Sequence, residues 1–357
     1  METDFVCISR SPVTGLEACV GKDDNAYYLY LMEAPELGGG KVVRILWLCN
    51  RKPAPEVLST EGDGSFLLPR EHVGHDLNGI DLDESSLRIR WYATGDSAAV
   101  YDREGVLGAI PPYAGVHDFP GFTRYMKGFH RYGWQMRPED AEGIEAYLHD
   151  ADRQWQLTLT EKGWEIVDNA FRQVYYRFAG EPSHYLDLDR GSFPRRRLFM
   201  GKQNDICYNL TVGMSQAELP RAQILLRNEY AAFSRMELGF ACQEQHAALA
   251  EYMVPVMADL MQMPWQERDF LGHGHTIEFP RIPGFAGFLL VDAGQVPGLP
   301  CPAMPPFLGV KPRFCWIVLV TQKEMDFVRE KGVEKILRKC WMPELVHVYD
   351  GGAKFFR

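Results

Sequence analysis

Short apolar runs of strand length recur along the first part of the chain. Residues 27–31, 42–48 and 87–92 are rich in aromatic and branched side chains, and each run is followed by glycine or proline. Such runs predict β-strands, because these side chains pack well on a pleated surface. In the third run Arg88 and Arg90 alternate with apolar residues, as in a sheet with one face in water. Residues 1–135 are therefore predicted to form a β-rich domain.

The spacing of apolar residues then changes to that of helices. Pro138 followed by Glu139 and Asp140 is typical of the first turn of a helix, where acidic side chains meet the positive end of the helix dipole. Residues 136–160 are therefore predicted to be a helical connector. A second helix is predicted next, because five apolar residues recur at intervals of 3, 4, 3 and 4 on one face. They are Trp164, Val167, Phe171, Val174 and Phe178.

The remainder, residues 161–357, mixes strands and helices. A helix is predicted over residues 243–263 and should be kinked at Pro255, which lacks a backbone donor. A last helix opens at Thr321 and Glu324, which have the spacing of a capping box, and runs on to Leu337. The fold class predicted is α+β in two domains. Strands are predicted at residues 206–213, 223–227, 235–241, 286–291 and 314–320.

Composition supports a folded, water-soluble chain. Of its 357 residues 46% are hydrophobic and 24% charged, which is enough apolar material for roughly two cores. The start of the chain lacks the pattern of a secretory signal, and no run approaches the roughly 20 apolar residues that cross a bilayer. The eight cysteines include no Cys-x-x-Cys pair, so neither a zinc ribbon nor a disulfide framework is predicted. We expect a cytoplasmic protein with no cofactor and no membrane contact.

The charge is divided unevenly. The 48 acidic and 38 basic residues separate into 25 and 15 over residues 1–155, and into 23 and 23 over the rest. An acidic surface disfavours nucleic acid and speeds association with basic proteins. A basic protein partner is therefore favoured over nucleic acid, although many proteins are acidic for solubility alone.

Three groups of residues are candidates for chemistry. Ser215 lies in Gly-Met-Ser-Gln-Ala, which approximates the Gly-x-Ser-x-Gly turn of serine hydrolases but lacks its second glycine. His273 and His275 would share one side of a strand and could bind a metal with a third ligand. His72 and His75, with neighbouring Asp76, are a second possible ligand set. In each case a structural or solvated role is the favoured interpretation.

A run of three basic residues is a candidate for binding rather than catalysis. Arg195, Arg196 and Arg197 follow Pro194 directly. Guanidinium groups in a row could hold an acidic segment or a phosphate, whereas the simpler interpretation is a solvated turn. With His273 and His275, these arginines are our candidate partner-binding residues.

A series of signals over residues 163–357 resembles the suppressor of fused domain family. It begins with the aromatic helix and the segment Tyr-Asn-Leu-Thr-Val-Gly-Met-Ser at residues 208–215, followed by Met-Glu-Leu at 236–238. Trp265, the Leu-Gly-His-Gly-His-Thr run at 271–276, and a closing helix with Gly332 follow in order. The specificity lies in the order and spacing, since each short motif occurs in many proteins.

The resemblance implies a protein-binding fold with a mixed sheet flanked by helices. In the animal member it implies regulation of a transcription factor through a short extended peptide, and in bacterial members it implies immunity proteins that neutralise toxins. We therefore expect an immunity protein of bacterial type, with a basic toxin domain as partner. A regulatory module for an endogenous protein is the alternative, and a hydrolase using Ser215 is a third.

Overall fold

The structure, a computed structural model, describes residues 4–34, 40–60, 66–191 and 194–356. The chain divides into two compact units, Met1–Trp155 and Gln156–Arg357. The boundary between them falls inside the predicted connector. No helix among the described residues combines the length and the apolarity that crossing a bilayer requires.

The first unit begins with a four-stranded antiparallel meander. Tyr28 and Trp47 are fully buried on neighbouring strands, which places the aromatic residues of the predicted runs in its core. The prediction of strands at residues 27–31 and 42–48 is confirmed. The strands are β1 (Asp4–Arg10), β2 (Leu16–Lys22), β3 (Ala26–Glu33) and β4 (Val42–Asn50), and a short pair follows, β5 (Ser59–Thr60) and β6 (Phe66–Leu67).

A six-stranded sheet completes the β-structure of this unit. Its strand order is β11-β12-β10-β9-β8-β7, and β10 runs parallel to β12. Its first strand confirms the run predicted at residues 87–92. The strands are β7 (Arg88–Trp91), β8 (Ala98–Asp102), β9 (Gly105–Ile110), β10 (Phe122–Thr123), β11 (Phe129–His130) and β12 (Gly133–Gln135).

The predicted connector forms helix α1 (Pro138–Thr158). Its apolar residues Ile144 and Leu148 are buried against the six-stranded sheet. Near its end, the indole Nε1 of Trp155 donates to the carbonyl of Trp91 at 3.2 Å. Most of this helix is therefore packed as part of the first unit.

The second unit opens with helix α2 (Glu161–Ala179), which carries the predicted aromatic stripe. Trp164, Val167 and Phe171 are buried as expected, but Tyr175 takes the next buried position and Val174 is only partly buried. The reason is geometric. A 3-4-3-4 spacing averages 3.5 residues, whereas the helix turns every 3.6, so the stripe drifts by one position.

An eight-stranded mixed sheet forms the centre of this unit, in the order β13-β14-β15-β16-β19-β18-β17. The central strand β16 is antiparallel to β15 and parallel to both β19 and β20, which lie end to end along its other edge. The strands are β13 (Pro182–Asp187), β14 (Arg197–Gln203), β15 (Ile206–Val212), β16 (Met236–Gln243), β17 (Thr276–Glu278), β18 (Gly287–Asp292), β19 (Arg313–Val320) and β20 (Val348–Tyr349).

The helix predicted over residues 243–263 covers only Ala247–Leu260, because Gln243 still belongs to β16, and two other predictions for the helices of the second unit are corrected by the structure. The strand predicted at residues 223–227 is wrong: helix α3 (Ala222–Leu226) lies there, since periodicity does not separate a short apolar run in a strand from one in a helix. The last predicted helix is divided at Gly332, whose φ is 85°. The remaining helices are α4 (Ala247–Leu260), α5 (Met263–Glu267), α6 (Gln322–Lys331) and α7 (Val333–Leu337).

Candidate functional site

Ser215 lies in a buried turn directly after β15. Gly213 starts the turn with a φ of 107°, a conformation that favours glycine. The Ser215 hydroxyl is fully buried and donates to a carboxylate oxygen of Glu237 at 2.7 Å. A nucleophilic serine needs a base and an exposed oxygen at the head of a helix. Here the hydroxyl instead holds the turn against β16.

Glu237 is the centre of this turn, and sequence reasoning treated it only as part of a strand motif. Its fully buried carboxylate also accepts from the Thr211 hydroxyl at 2.6 Å, from the Gly213 amide at 3.0 Å and from the Ser215 amide at 2.9 Å. Burial raises the pKa of Glu237 to about 7, and the hydrogen bonds oppose that shift. The missed signal is a lone carboxylate inside an otherwise apolar strand.

The three consecutive arginines surround a buried carboxylate, that of Asp189. Asp189 accepts from the amides of Gly191 at 2.7 Å and Arg196 at 2.6 Å. The guanidinium groups of Arg195 and Arg197 approach it at 3.3 and 3.4 Å. The predicted solvated turn is therefore an internal ion-pair network.

Two further ion pairs engage the outer arginines. Arg195 pairs with Glu161 of α2, and Arg197 pairs with Asp187 of β13. The Arg197 guanidinium also lies 5.5 Å from the centre of the Trp164 ring. Burial lowers the pKa of Arg196. This arrangement fixes the start of β14 against α2, so these arginines are tied into the fold as well as being candidates for a partner.

His273 and His275 do not share the side of a strand, because Gly274 between them has a φ of 83° and makes a turn before β17. His273 Nδ1 accepts from the Asp292 amide at 3.0 Å, and its Nε2 lies 3.5 Å from a carboxylate oxygen of Glu334. Burial lowers the pKa of His275. Among the described residues, no group of three His, Cys, Asp or Glu side chains is placed to hold a metal ion.

The histidines of the first unit are engaged in the same way. His75 Nε2 accepts from the Asn50 amide at 3.0 Å, and its Nδ1 lies 2.7 Å from the Asp76 carbonyl. His72 Nδ1 lies 3.2 Å from the Lys127 carbonyl. Both ring nitrogens of His75 therefore have structural partners, which leaves His72, His75 and Asp76 unsuited to act together as ligands.

An open groove of about 980 Å³ in the second unit was not foreseen from the sequence. One wall is the turn after β14 and the end of β16, and the other is the segment from Lys339 to Phe355. Trp341, which lines the groove, is 90% exposed, and its neighbours Met342 and Leu345 are 43% and 42% exposed. Large apolar side chains left in water beside a cavity are typical of surfaces that contact another molecule. We call this feature the Trp341 groove.

Charged residues frame the groove in pairs. Lys202 binds Glu244 at 2.5 Å, and Lys354 binds Asp350 at 3.0 Å. Lys339 lies 5.4 Å from the ring centre of Phe327. An exposed aromatic side chain within a polar rim is the usual anatomy of a protein–protein contact surface.

Comparisons with known proteins bear on the second unit. Residues 196–351 match the sequence model of the family described as Suppressor of fused protein (SUFU). This segment contains Glu237, the turn at Ser215, both histidines and most of the groove lining.

The other comparisons add little. No curated protein matches the chain significantly. A solved structure titled "the Sufu-Fu complex crystal structure" is similar, with 14% identity over 52% of this chain and 88% of that chain, and a TM-score of 0.34.

Proposed function

We propose, from the match of residues 196–351 to the suppressor of fused family model, that this chain neutralises a toxin by binding it directly, as an immunity protein of bacterial type. The match supports the coarser part of this proposal, a protein-binding module. The Trp341 groove is the observation that supports direct binding most strongly.

The groove offers the kind of surface from which binding energy comes. Burying an exposed Trp side chain removes a large apolar area from water, and tryptophans at the centre of an interface are frequent hot spots. The paired charges on the rim are already compensated, so a partner that covers them leaves few ions without a counter-charge. We therefore place the partner's apolar contact at Trp341, Met342 and Leu345.

The charge of the first unit supports a basic partner. Its 25 acidic and 15 basic residues give it a net negative charge that attracts positively charged proteins over a distance, whereas acidic and basic residues are equal in number in the second unit. A toxin domain that acts on nucleic acid must hold phosphates and therefore carries basic residues. Such a domain fits both the acidic unit and the apolar groove.

The test is capture of the partner with the whole chain, followed by co-expression with that partner. We expect one basic protein in equal amount, whose toxicity to the host cell is suppressed by the wild-type chain. Replacing Trp341 with Ala should weaken binding by about 30-fold or more, the size of a hot spot. Tyr176→Ala is a matched control, because Tyr176 is also exposed in the second unit and lies outside the groove.

Two outcomes would contradict parts of the proposal. Capture of an endogenous, non-toxic protein whose binding still depends on Trp341 would favour the regulatory module. Equal effects of Trp341→Ala and Tyr176→Ala would remove the groove from the binding surface.

A further inference from the structure

Two cysteines face each other across adjacent strands in the middle of the second unit. Cys207 of β15 and Cys242 of β16 are directly opposite in the antiparallel register. Directly opposed residues point to the same face, and their Cα atoms lie about 4.5 to 5.5 Å apart. A disulfide needs Cα atoms about 4.4 to 6.8 Å apart. The backbone therefore already holds the two residues at bonding distance.

The two side chains differ in their surroundings. The Cys242 Sγ lies 3.5 Å from the carbonyl of His246, just before α4. Cys242 is fully buried, whereas Cys207 is half-buried. An oxidant in solution consequently reaches Cys207 first, with Cys242 beside it as the resolving thiol.

We propose that Cys207 and Cys242 form a reversible disulfide, which makes the β15–β16 ladder a site of redox modification. With glutathione disulfide as oxidant, the Cys207 thiolate attacks one glutathione sulfur and releases the first glutathione as a thiol. Cys242 then attacks the Cys207 sulfur of this mixed disulfide and releases the second glutathione. Two protein thiols are oxidised to one S–S bond, and one glutathione disulfide is reduced to two glutathione thiols.

Burial makes this a slow, demanding reaction. It raises the pKa of Cys207 and raises that of Cys242 to about 12, so the thiolate fraction at neutral pH is small. The site therefore responds to sustained or strong oxidation. Once formed, the bond closes the loop of residues 208–241, which contains the turn at Ser215 and Glu237.

The chain contains its own controls. Cys7 is opposite Val20 in the first hairpin and Cys19 is opposite Ile8, so these two cysteines are offset by one residue although their strands are paired. Cys301 is exposed and reports that an oxidant has acted. Among the cysteines of the described strands, Cys207 and Cys242 are the only two that lie directly opposite each other.

To test this, the folded whole chain is treated with glutathione disulfide, and the remaining free thiols are then blocked with iodoacetamide. The tryptic peptides are mapped by mass spectrometry. We expect one linked pair, joining the peptides of Cys207 and Cys242, that disappears on reduction. Cys7 and Cys19 should stay free thiols during oxidation and therefore be recovered as alkylated cysteines. The oxidised wild type should melt about 5 °C or more above the reduced form, and Cys207→Ser should show no such shift.

Two results would overturn the proposal. One is full glutathionylation of Cys301 while Cys207 and Cys242 both stay alkylated. The other is a stable single glutathione on Cys207 with Cys242 still a free thiol. Cys301→Ser, which removes an exposed sulfur, should leave the linked pair unchanged and so separates cross-linking from general oxidation.

Discussion

One carboxylate organises the turn at the end of β15. Glu237 accepts hydrogen bonds from three successive parts of the segment Thr211–Ser215, so a change in any donor is felt at the same buried group. Removing one of several hydrogen bonds to a buried carboxylate destabilises the protein less than removing all of them. The serine is therefore a supporting member of the cluster and Glu237 is its centre.

Replacing Ser215 with Ala should lower the free energy of unfolding by about 1–3 kcal/mol while leaving partner binding intact, because one hydrogen bond to a buried carboxylate is lost. Urea denaturation and a binding titration on the same protein measure the two effects. Ser11→Ala serves as control, since Ser11 is also buried and hydrogen-bonded but lies in the first unit. Loss of biological activity at unchanged stability would instead support the hydrolase.

At the level of helices and strands, the capping box at the start of α6 is confirmed and does more than its sequence indicates. Thr321 accepts from the Glu324 amide at 3.3 Å, and Glu324 accepts from the Thr321 amide at 2.8 Å. The other carboxylate oxygen of Glu324 accepts from the amides of Phe355 and Phe356 at 2.8 and 3.2 Å. One side chain therefore caps the helix and fixes the last described residues.

Glu324→Ala should accordingly destabilise the protein more than Thr321→Ala. The threonine change removes one cap interaction and should cost about 1 kcal/mol. The glutamate change leaves the buried amide of Phe355 and the partly buried amides of Phe356 and Thr321 without this acceptor, and should cost about 2–4 kcal/mol. Gln322→Ala, at an exposed position of the same turn, should be nearly neutral in the same urea titrations. Equal costs for Thr321→Ala and Glu324→Ala would show that the contact with Phe355 and Phe356 contributes nothing.

Local patterns predicted most elements because each depends on neighbouring residues. Runs of apolar residues located β3, β4 and β15, and the periodic stripe located α2. The last helix breaks at Gly332 because this residue has a positive φ. In the sequence, the only indication of this break is the glycine itself. The Trp341 groove was not predictable, since its walls come from segments near residues 204, 244 and 341 that only the folded sheet brings together.

For the molecule as a whole, the division of charge has a kinetic consequence. The net charge of −10 lies in the first unit, and the second unit is neutral. Charges that steer a partner act on the association rate and are screened over about 8 Å at physiological ionic strength. The two units should therefore contribute differently to recognition, the first to the rate of encounter and the second to the lifetime of the complex.

This division is testable with two sets of neutralising substitutions in the whole chain. Changing Glu56, Glu71 and Glu104 of the first unit to Gln should slow association with a basic partner and flatten its salt dependence. Changing Glu278, Glu330 and Glu334 of the second unit, which are similarly exposed, should have a smaller effect. Stopped-flow measurements across a salt series compare the sets. If the association rate depends on salt equally in both sets of variants, the acidic charge of the first unit serves solubility alone.

The end-to-end placement of β19 and β20 along β16 has a consequence for synthesis on the ribosome. Met236 pairs with Arg313 and Ala241 pairs with Val348, so β16 gains its partner β19 only 77 residues later in the chain and its partner β20 only 107 residues later. At roughly 5–20 residues per second, the growing chain carries this unpaired edge for at least several seconds. An open strand edge is a template for pairing with other chains. The nascent second unit is therefore most open to such pairing before β19 emerges, and the end of the β16 edge stays open until β20 follows.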